Sequence, residues 1–378
     1  MRKKKIAFYI DTLNKGGTEK ATLDLINNLD YSKYDITLIR FFPGGEYNKL
    51  VNKKIKNKVR YPIMLLFRWN KKILNLCDRF GRKFYNIIPG KISHKILIGD
   101  KYDIEIACGF YFPTKLISYS KNAKKISWVH MDYTIDKSEI GSFNQQQGRD
   151  FFSKIDKIVC VSKECEKKFN DKFKLFDKTT HLYNIVDVNN IITKAEQFKP
   201  SYNYGKFNIV AVGRLTWQKG FDRLLEVHFQ LINQGIDHCL YIIGEGEERD
   251  RLRKYIKDNK LEQTAFLLGY KENPYPYVKN ANLYVCSSRH ESFSLTVAES
   301  IVLETPVIST RCAGPTELLD NGKYGILAND NRDLKESIKY LISDKKAYFD
   351  YKEKVKGRKK FFDIDRSVGE WEQLLDNI

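Results

Sequence analysis

Apolar residues recur along this chain in two alternating rhythms. Runs of five to seven residues at Lys5 to Ile10, Asp35 to Phe41, Ile104 to Cys108, Lys125 to Val129 and Lys157 to Val161 read as buried strands. Between the first two, Thr18 to Leu29 places Ala21, Leu25, Ile26 and Leu29 at the period of a helix. The second half repeats this grammar, with strands at Phe207 to Val212, Cys239 to Ile243, Phe266 to Leu268 and Leu283 to Cys286, and helices at Phe221 to Leu231 and Glu248 to Ile256. Strands alternating with helices predict parallel sheets covered on both faces. The expected fold class is α/β, two Rossmann-like parallel-sheet domains facing an interdomain cleft, with the polar stretch Asn184 to Gly205 as linker.

Composition narrows the picture. The 378 residues are 42% hydrophobic and 13% aromatic, too apolar for a disordered chain and long enough for two cores. No stretch approaches the ~20 uncharged apolar residues of a membrane-spanning helix. The apolar run Ile6 to Ile10 is too short for a signal peptide, so the chain is expected to begin here and stay inside the cell. Seven cysteines without a CxxC pair suggest a reducing compartment and no zinc or disulfide framework.

Charge is unevenly spread. Residues 1–187 hold 37 Lys and Arg against 20 Asp and Glu, and residues 49–125 hold 19 against 4, whereas residues 188–378 hold 29 against 27. Residues 49–125 must then face something anionic, whether a lipid surface, a nucleic acid or a phosphorylated substrate, or tolerate self-repulsion.

Four segments carry candidate chemistry. Gly16-Gly17 sits where a strand hands over to a helix, so backbone N–H groups can approach a phosphate or sugar; a tight turn with Thr18 as N-cap is the plainer alternative. In Val212 to Gly220, Arg214 and Lys219 overhang a strand end where two cations can neutralise a diphosphate, or are simply solvated. Gly244-Glu245-Gly246 and Gly269-Tyr270 follow further strands as backbone-lined walls or ordinary turns. In Arg289 to Glu299, Glu291 precedes and Glu299 lies within a helix starting near Phe293 or Ser294, so carboxylates flank free helix N–H groups.

In this order the motifs resemble the retaining glycosyltransferases of family four, of GT-B fold: Gly213-Arg214 with Lys219-Gly220, Gly244-Glu245-Gly246, Gly269-Tyr270, the acid pair Glu291 and Glu299, and Thr305 to Ile308 leading to Gly314 and Glu317. Gly16-Gly17-Thr18-Glu19 is similar to the family's glycine loop, and Ser294 stands where the family more often has glycine. The resemblance is close over about residues 205–330. It implies an amino-terminal acceptor-binding domain, residues 1–187, and a nucleotide-sugar-binding domain, residues 188–362, with a final helix at 363–378 returning to the first. It implies that Arg214 and Lys219 hold the donor diphosphate with amides near Phe293, Ser294 and Leu295, that Glu299 takes the ribose, and that Glu291 takes hydroxyls of the transferred sugar. Gly16, Gly17, Gly244, Gly246 and Tyr270 complete the implied donor contacts. Trp128-Val129-His130 resembles the strand-end segment whose histidine faces the donor sugar, making His130 a candidate catalytic residue beside Glu291, Arg214 and Lys219.

Expected chemistry follows from charge. Cleaving an anomeric carbon from a diphosphate leaves an oxocarbenium-like sugar and a more negative leaving group, which cations stabilise. No cofactor or metal is expected; the DxD triplet Asp363-Ile364-Asp365 reads as the start of the last helix. The donor is expected to be a UDP-sugar. Residues 63–88 form a basic amphipathic pattern in which Arg68, Lys71, Lys72, Arg79, Arg82 and Lys83 predict peripheral attachment to an anionic inner leaflet, or the solvated side of a core helix. The leading expectation is a cytoplasmic, peripheral enzyme moving a sugar to a glycan or lipid-linked acceptor for a bacterial surface polysaccharide. A soluble GT-B sugar-nucleotide enzyme is the alternative; a nucleic-acid binder rests on charge alone, without a motif.

Overall fold

A computed structural model describes residues 2–60, 94, 101–109, 111–132 and 145–378. The chain divides into two compact units, Met1–Ile185 with Asp365–Ile378, and Val186–Ile364. The first holds seven described strands, β1 (Lys4–Ile10), β2 (Tyr34–Arg40), β3 (Lys56–Val59), β4 (Ile104–Cys108), β5 (Lys124–Val129), β6 (Lys157–Cys160) and β7 (Thr179–His181). They pair in parallel in the order 3-2-1-4-5-6-7. Five consecutive residues of β1, Ile6 to Ile10, are buried, because a central parallel strand is covered on both faces. β3 is an exposed, lysine-bearing edge without an apolar run, which is why the hydrophobic pattern does not announce it.

The terminal helix Ile364–Asn377 belongs to the first unit. Its Trp371 meets Trp128 of β5 edge-on, ring centroids 4.7 Å apart, and both rings are fully buried. Lys4 Nζ donates to the carbonyls of Leu375 and Asp376 at 2.9 and 3.0 Å, placing a cation at the negative end of that helix.

The second unit contains β8 (Phe207–Val212), β9 (His238–Ile243), β10 (Ala265–Leu267), β11 (Leu283–Cys286), β12 (Val307–Thr310) and β13 (Ile326–Ala328), all parallel, in the order 10-9-8-11-12-13. In both sheets the strand order reverses beside the first strand, between β1 and β4 and between β8 and β11. In open α/β sheets the loops beyond the carboxyl ends of strands at such a reversal form the ligand crevice.

Two sequence expectations need correction. Asn184 to Gly205 is more than a linker: Val188–Ala195 is a helix, capped by Asp187, whose side chain accepts from Asn190 N at 3.0 Å, and it buries Ile191 and Ala195. Val188, Ile191, Ile192 and Ala195 carry the helical period that the polar composition hides. The N-cap of helix Gly17–Asn28 is Gly16 rather than Thr18, which already lies inside the helix.

The second unit buries a histidine pair. His238 Nδ1–H donates to Ile236 O at 2.8 Å, which leaves its Nε2 to accept from His228 Nδ1–H at 2.8 Å; His228 Nε2 then faces the Thr264 hydroxyl at 3.0 Å. A proton added to either ring would upset this ordered chain. Burial pushes His228 down to about 3 and lowers His238 as well. An unfolded histidine titrates near ~6.5, so this contribution is full above that pH and declines as pH falls toward the folded values. Between pH 7.5 and pH 5 the parent should lose on the order of 2 kcal/mol more stability in urea unfolding than the double variant H228Q/H238Q, which, though less stable throughout, keeps only the pH dependence of the other titrating groups. Equal pH dependence in parent and double variant would contradict the assignment.

Candidate functional site

The reversal in the second sheet brings together two loops. After β8 the chain runs through Gly213, Arg214 and Leu215 into a 3-10 turn, Trp217–Lys219; after β11 it runs through Ser287 to Ser294. Gly220, at φ 64°, links that turn to the helix Phe221–Asn233, and a side chain there would put Cβ 2.2 Å from Ser287 O, so glycine lets the loops touch. They are laced at three points: Arg289 N donates to Gln218 O at 2.7 Å, Gln218 Nε2 to His290 O at 3.0 Å, and Ser287 Oγ to Lys219 O at 3.0 Å.

At the centre Lys219 Nζ meets Glu291 Oε1 at 2.5 Å, the two side chains 20% and 10% exposed. Ser288 Oγ donates to the same carboxylate oxygen at 2.9 Å. Burial opposes the Lys219 charge, but the adjoining Glu291 carboxylate outweighs it and raises the lysine's pKa; Arg214, nearby, works in the opposite sense. Arg214 itself is exposed. The site thus combines one solvated cation with one paired to a carboxylate, an arrangement suited to a ligand with adjacent negative charges.

The walls are backbone. Gly244, at φ 150°, would place a Cβ 1.8 Å from Gly213 O, and Gly246 would place one 2.3 Å from Leu215 O, so both glycines allow the loop after β9 to lie against the loop after β8. Gly314 N donates to Glu291 O at 3.0 Å and packs on Phe293, which is buried. The helix Leu295–Val302 begins one residue later than the sequence suggests, with Ser294 at φ 72° as its N-cap and no side-chain capping bond. Ser294 Oγ is buried without a hydrogen-bond partner among the described residues. Glu299, 6% exposed on that helix, accepts from Tyr275 OH at 3.2 Å.

Arg214, Lys219, Gly244, Gly246, Glu291, Phe293, Ser294, Leu295 and Glu299 are therefore carried by the second unit, around or near its strand reversal. Tyr270 is also there, 39% exposed after Gly269, just beyond the end of β10. Gly16, Gly17 and His130 belong to the first unit, after β1 and β5. The His130 ring lies 4.5 Å from Trp128, its Nε2 enclosed without a hydrogen-bond partner among the described residues, and burial pushes its pKa down to about 3. Arg68, Lys71, Lys72, Arg79, Arg82 and Lys83 lie outside the described residues. Among the described residues no group of three or more His, Cys, Asp or Glu side chains is placed to hold a metal, and no helix is long and apolar enough to cross a membrane. Sequence reasoning missed Ser288 and Tyr275. Two serines directly after β11 were a usable signal for the first; Tyr275 reaches Glu299 only through the fold.

Residues 193–358 match the family described as glycosyl transferases group 1. The chain is a glycosyltransferase, and its second unit carries this family's segment. It is 28% identical to an uncharacterized glycosyltransferase of Methanocaldococcus jannaschii over 94% of this chain and 95% of that one. Over 56% of this chain and 58% of the relative it is 32% identical to N-acetylgalactosamine-N,N'-diacetylbacillosaminyl-diphospho-undecaprenol 4-alpha-N-acetylgalactosaminyltransferase of Campylobacter jejuni. The crystal structure of Anabaena HepE with UDP and glucose superposes with a TM-score of 0.74 at 17% identity, covering 99% of each chain, and the fold of the glycosyltransferase is GT-B.

Ser294 makes a sharp local test in this glycosyltransferase. A non-glycine residue in the left-handed region costs roughly 1–2 kcal/mol, and the buried hydroxyl adds to that. Ser294→Gly should raise the thermal midpoint by about 2–4 °C, and Ser294→Val should lower it. A lower midpoint for Ser294→Gly would contradict the strain.

Proposed function

We propose that this glycosyltransferase moves a hexose from a UDP-sugar, with retention of anomeric configuration, to a glycan or lipid-linked acceptor at the inner face of the cell membrane, in the synthesis of a bacterial surface polysaccharide. The observation that carries the reading is the conjunction of Arg214 and the Lys219–Glu291 pair beside the start of helix Leu295–Val302. As the bond from the anomeric carbon to the diphosphate breaks, negative charge grows on the leaving phosphate. Arg214 and Lys219 stabilise it, and the unpaired N–H groups at the helix start add donors without reorganisation. Lys219 can exchange part of its bond to Glu291 for one to a phosphate oxygen.

Glu291 then accepts from sugar hydroxyls, and Glu299 from the ribose. Glu291 is already engaged by Lys219 and Ser288, which suits an orienting role better than that of a covalent nucleophile. Retention follows if the acceptor attacks from the leaving group's own face and gives its proton to the departing phosphate. His130, kept neutral by burial, serves as a hydrogen-bonding partner of the sugar rather than as an acid. UDP in the HepE structure supports the carrier, and the diphospho-undecaprenol in the Campylobacter relative's name supports a lipid-linked acceptor.

Arg214→Ala should lower kcat by roughly 10²–10³ with little change in donor KM, whereas Glu299→Ala should chiefly raise the donor KM. Steady-state kinetics with a UDP-sugar distinguish the two, and parent rates in both variants would refute the donor site. Reversing charge at Lys71, Lys72, Arg82 and Lys83 should release the protein from anionic liposomes in a low-salt pelleting assay while UDP binding persists. Unchanged pelleting would remove the membrane face from the proposal.

A further inference from the structure

Next to the donor loops the second unit has a groove of about 840 Å³, within the range of ligand sites, to which none of the residues placed in the transfer site contributes. Its lining includes Trp217, Asp222, Arg223, Tyr255, Arg289 and His290. Trp217 is 42% exposed, whereas Trp128 and Trp371 are fully buried.

The exposed indole is held in place. The Arg289 guanidinium stacks 4.6 Å from its ring centroid, donates to Trp217 O at 2.7 Å, and is clamped by two bonds of 2.8 Å to the carboxylate of Asp222. Beside it the half-buried Arg223 donates through Nε to Asn331 Oδ1 at 2.8 Å; burial, and then the Arg289 charge, lower its pKa. Arg223 forms no ion pair within 4 Å among the described residues, though the Asp222 and Asp330 carboxylates lie near enough to act on its charge. Arg289 covers one face of the indole, and the groove offers the remaining exposed part of the ring beside planar donors and acceptors.

We infer that this groove binds a stretch of neutral glycan, a holding site separate from the site of transfer. A pyranose ring presents an apolar C–H face to an indole and vicinal hydroxyls that both donate and accept, so it uses carboxylates and guanidinium groups together. In the same groove Arg223, Arg251, Lys254 and Arg289 alternate with the carboxylates of Asp222, Glu226 and Asp258, a mixed lining that a polyanion, using only the cations, matches less well. The class of ligand rests on the proposed function, since an enzyme that extends a glycan must keep hold of one. Trp217 and Arg289 are neighbours of Lys219 and Glu291 along the laced loops, so a chain held here stays beside the donor machinery.

The test uses the full chain with 5-fluorotryptophan, the Trp217 fluorine resonance being assigned with Trp217→Phe. Maltotriose and tri-N-acetylchitotriose are titrated separately at millimolar concentration, and UDP binding is measured by calorimetry on the same samples. The expected result is a saturable shift of the Trp217 resonance with at least one sugar, weakened roughly tenfold in Arg223→Gln with UDP affinity unchanged. No shift with either sugar, an equal shift with inorganic sulfate, or undiminished affinity in Arg223→Gln overturns the inference. Loss of UDP binding in the parent with the sugar shift intact would instead count against the proposed donor and leave the groove standing.

Discussion

Lys219 and Glu291 lie seventy-two residues apart in the chain and meet with most of their surface out of water. An ion pair so enclosed stands only where good geometry and further hydrogen bonds offset its desolvation, and removing one partner commonly costs about 3–5 kcal/mol. Here the offset comes from Ser288 on the carboxylate and from backbone lacing between the two loops. The pair fixes the loop after β8 against the loop after β11, and the rest of the proposed donor site takes its position from that contact.

The sheet order explains why these loops can meet. With β8 and β11 adjacent and their crossovers leaving in opposite directions, the two carboxyl ends open onto one crevice. Glycine at 220, 244, 246 and 314 lets backbones approach where a Cβ would collide. Ser294 keeps a left-handed conformation without glycine's freedom, and strain of this kind collects where the surroundings over-determine a site. The first unit repeats the order at β1 and β4, with Gly16 and Gly17 after β1, so one sheet plan serves both halves.

Much of this was legible in the sequence. Central strands such as Ile104–Cys108, Phe207–Val212 and Leu283–Cys286 announce themselves because burial on both faces demands continuous apolar runs. The edge strands Lys56–Val59 and Thr179–His181 have no such demand and carry polar residues. Arg214, Lys219, Glu291 and Glu299 stood out through their place after strands and through family resemblance, but their partners did not. That Glu291 is tied to Lys219 and Ser288, or Glu299 to Tyr275, depends on contacts across the sheet that no local spacing encodes. The helix Val188–Ala195 was hidden because its four apolar residues are matched by four polar ones inside a mostly polar stretch, although the apolar ones are correctly spaced.

The central claim is that the Lys219–Glu291 pair and Arg214 form the seat of a nucleotide diphosphate, and diffraction from crystals grown with UDP tests it most directly. The account predicts diphosphate oxygens at about 3 Å from Lys219 Nζ and from the Arg214 guanidinium, with the ribose hydroxyls on Glu299. A nucleotide bound elsewhere, or one that leaves Lys219 in contact with Glu291 alone, would contradict it.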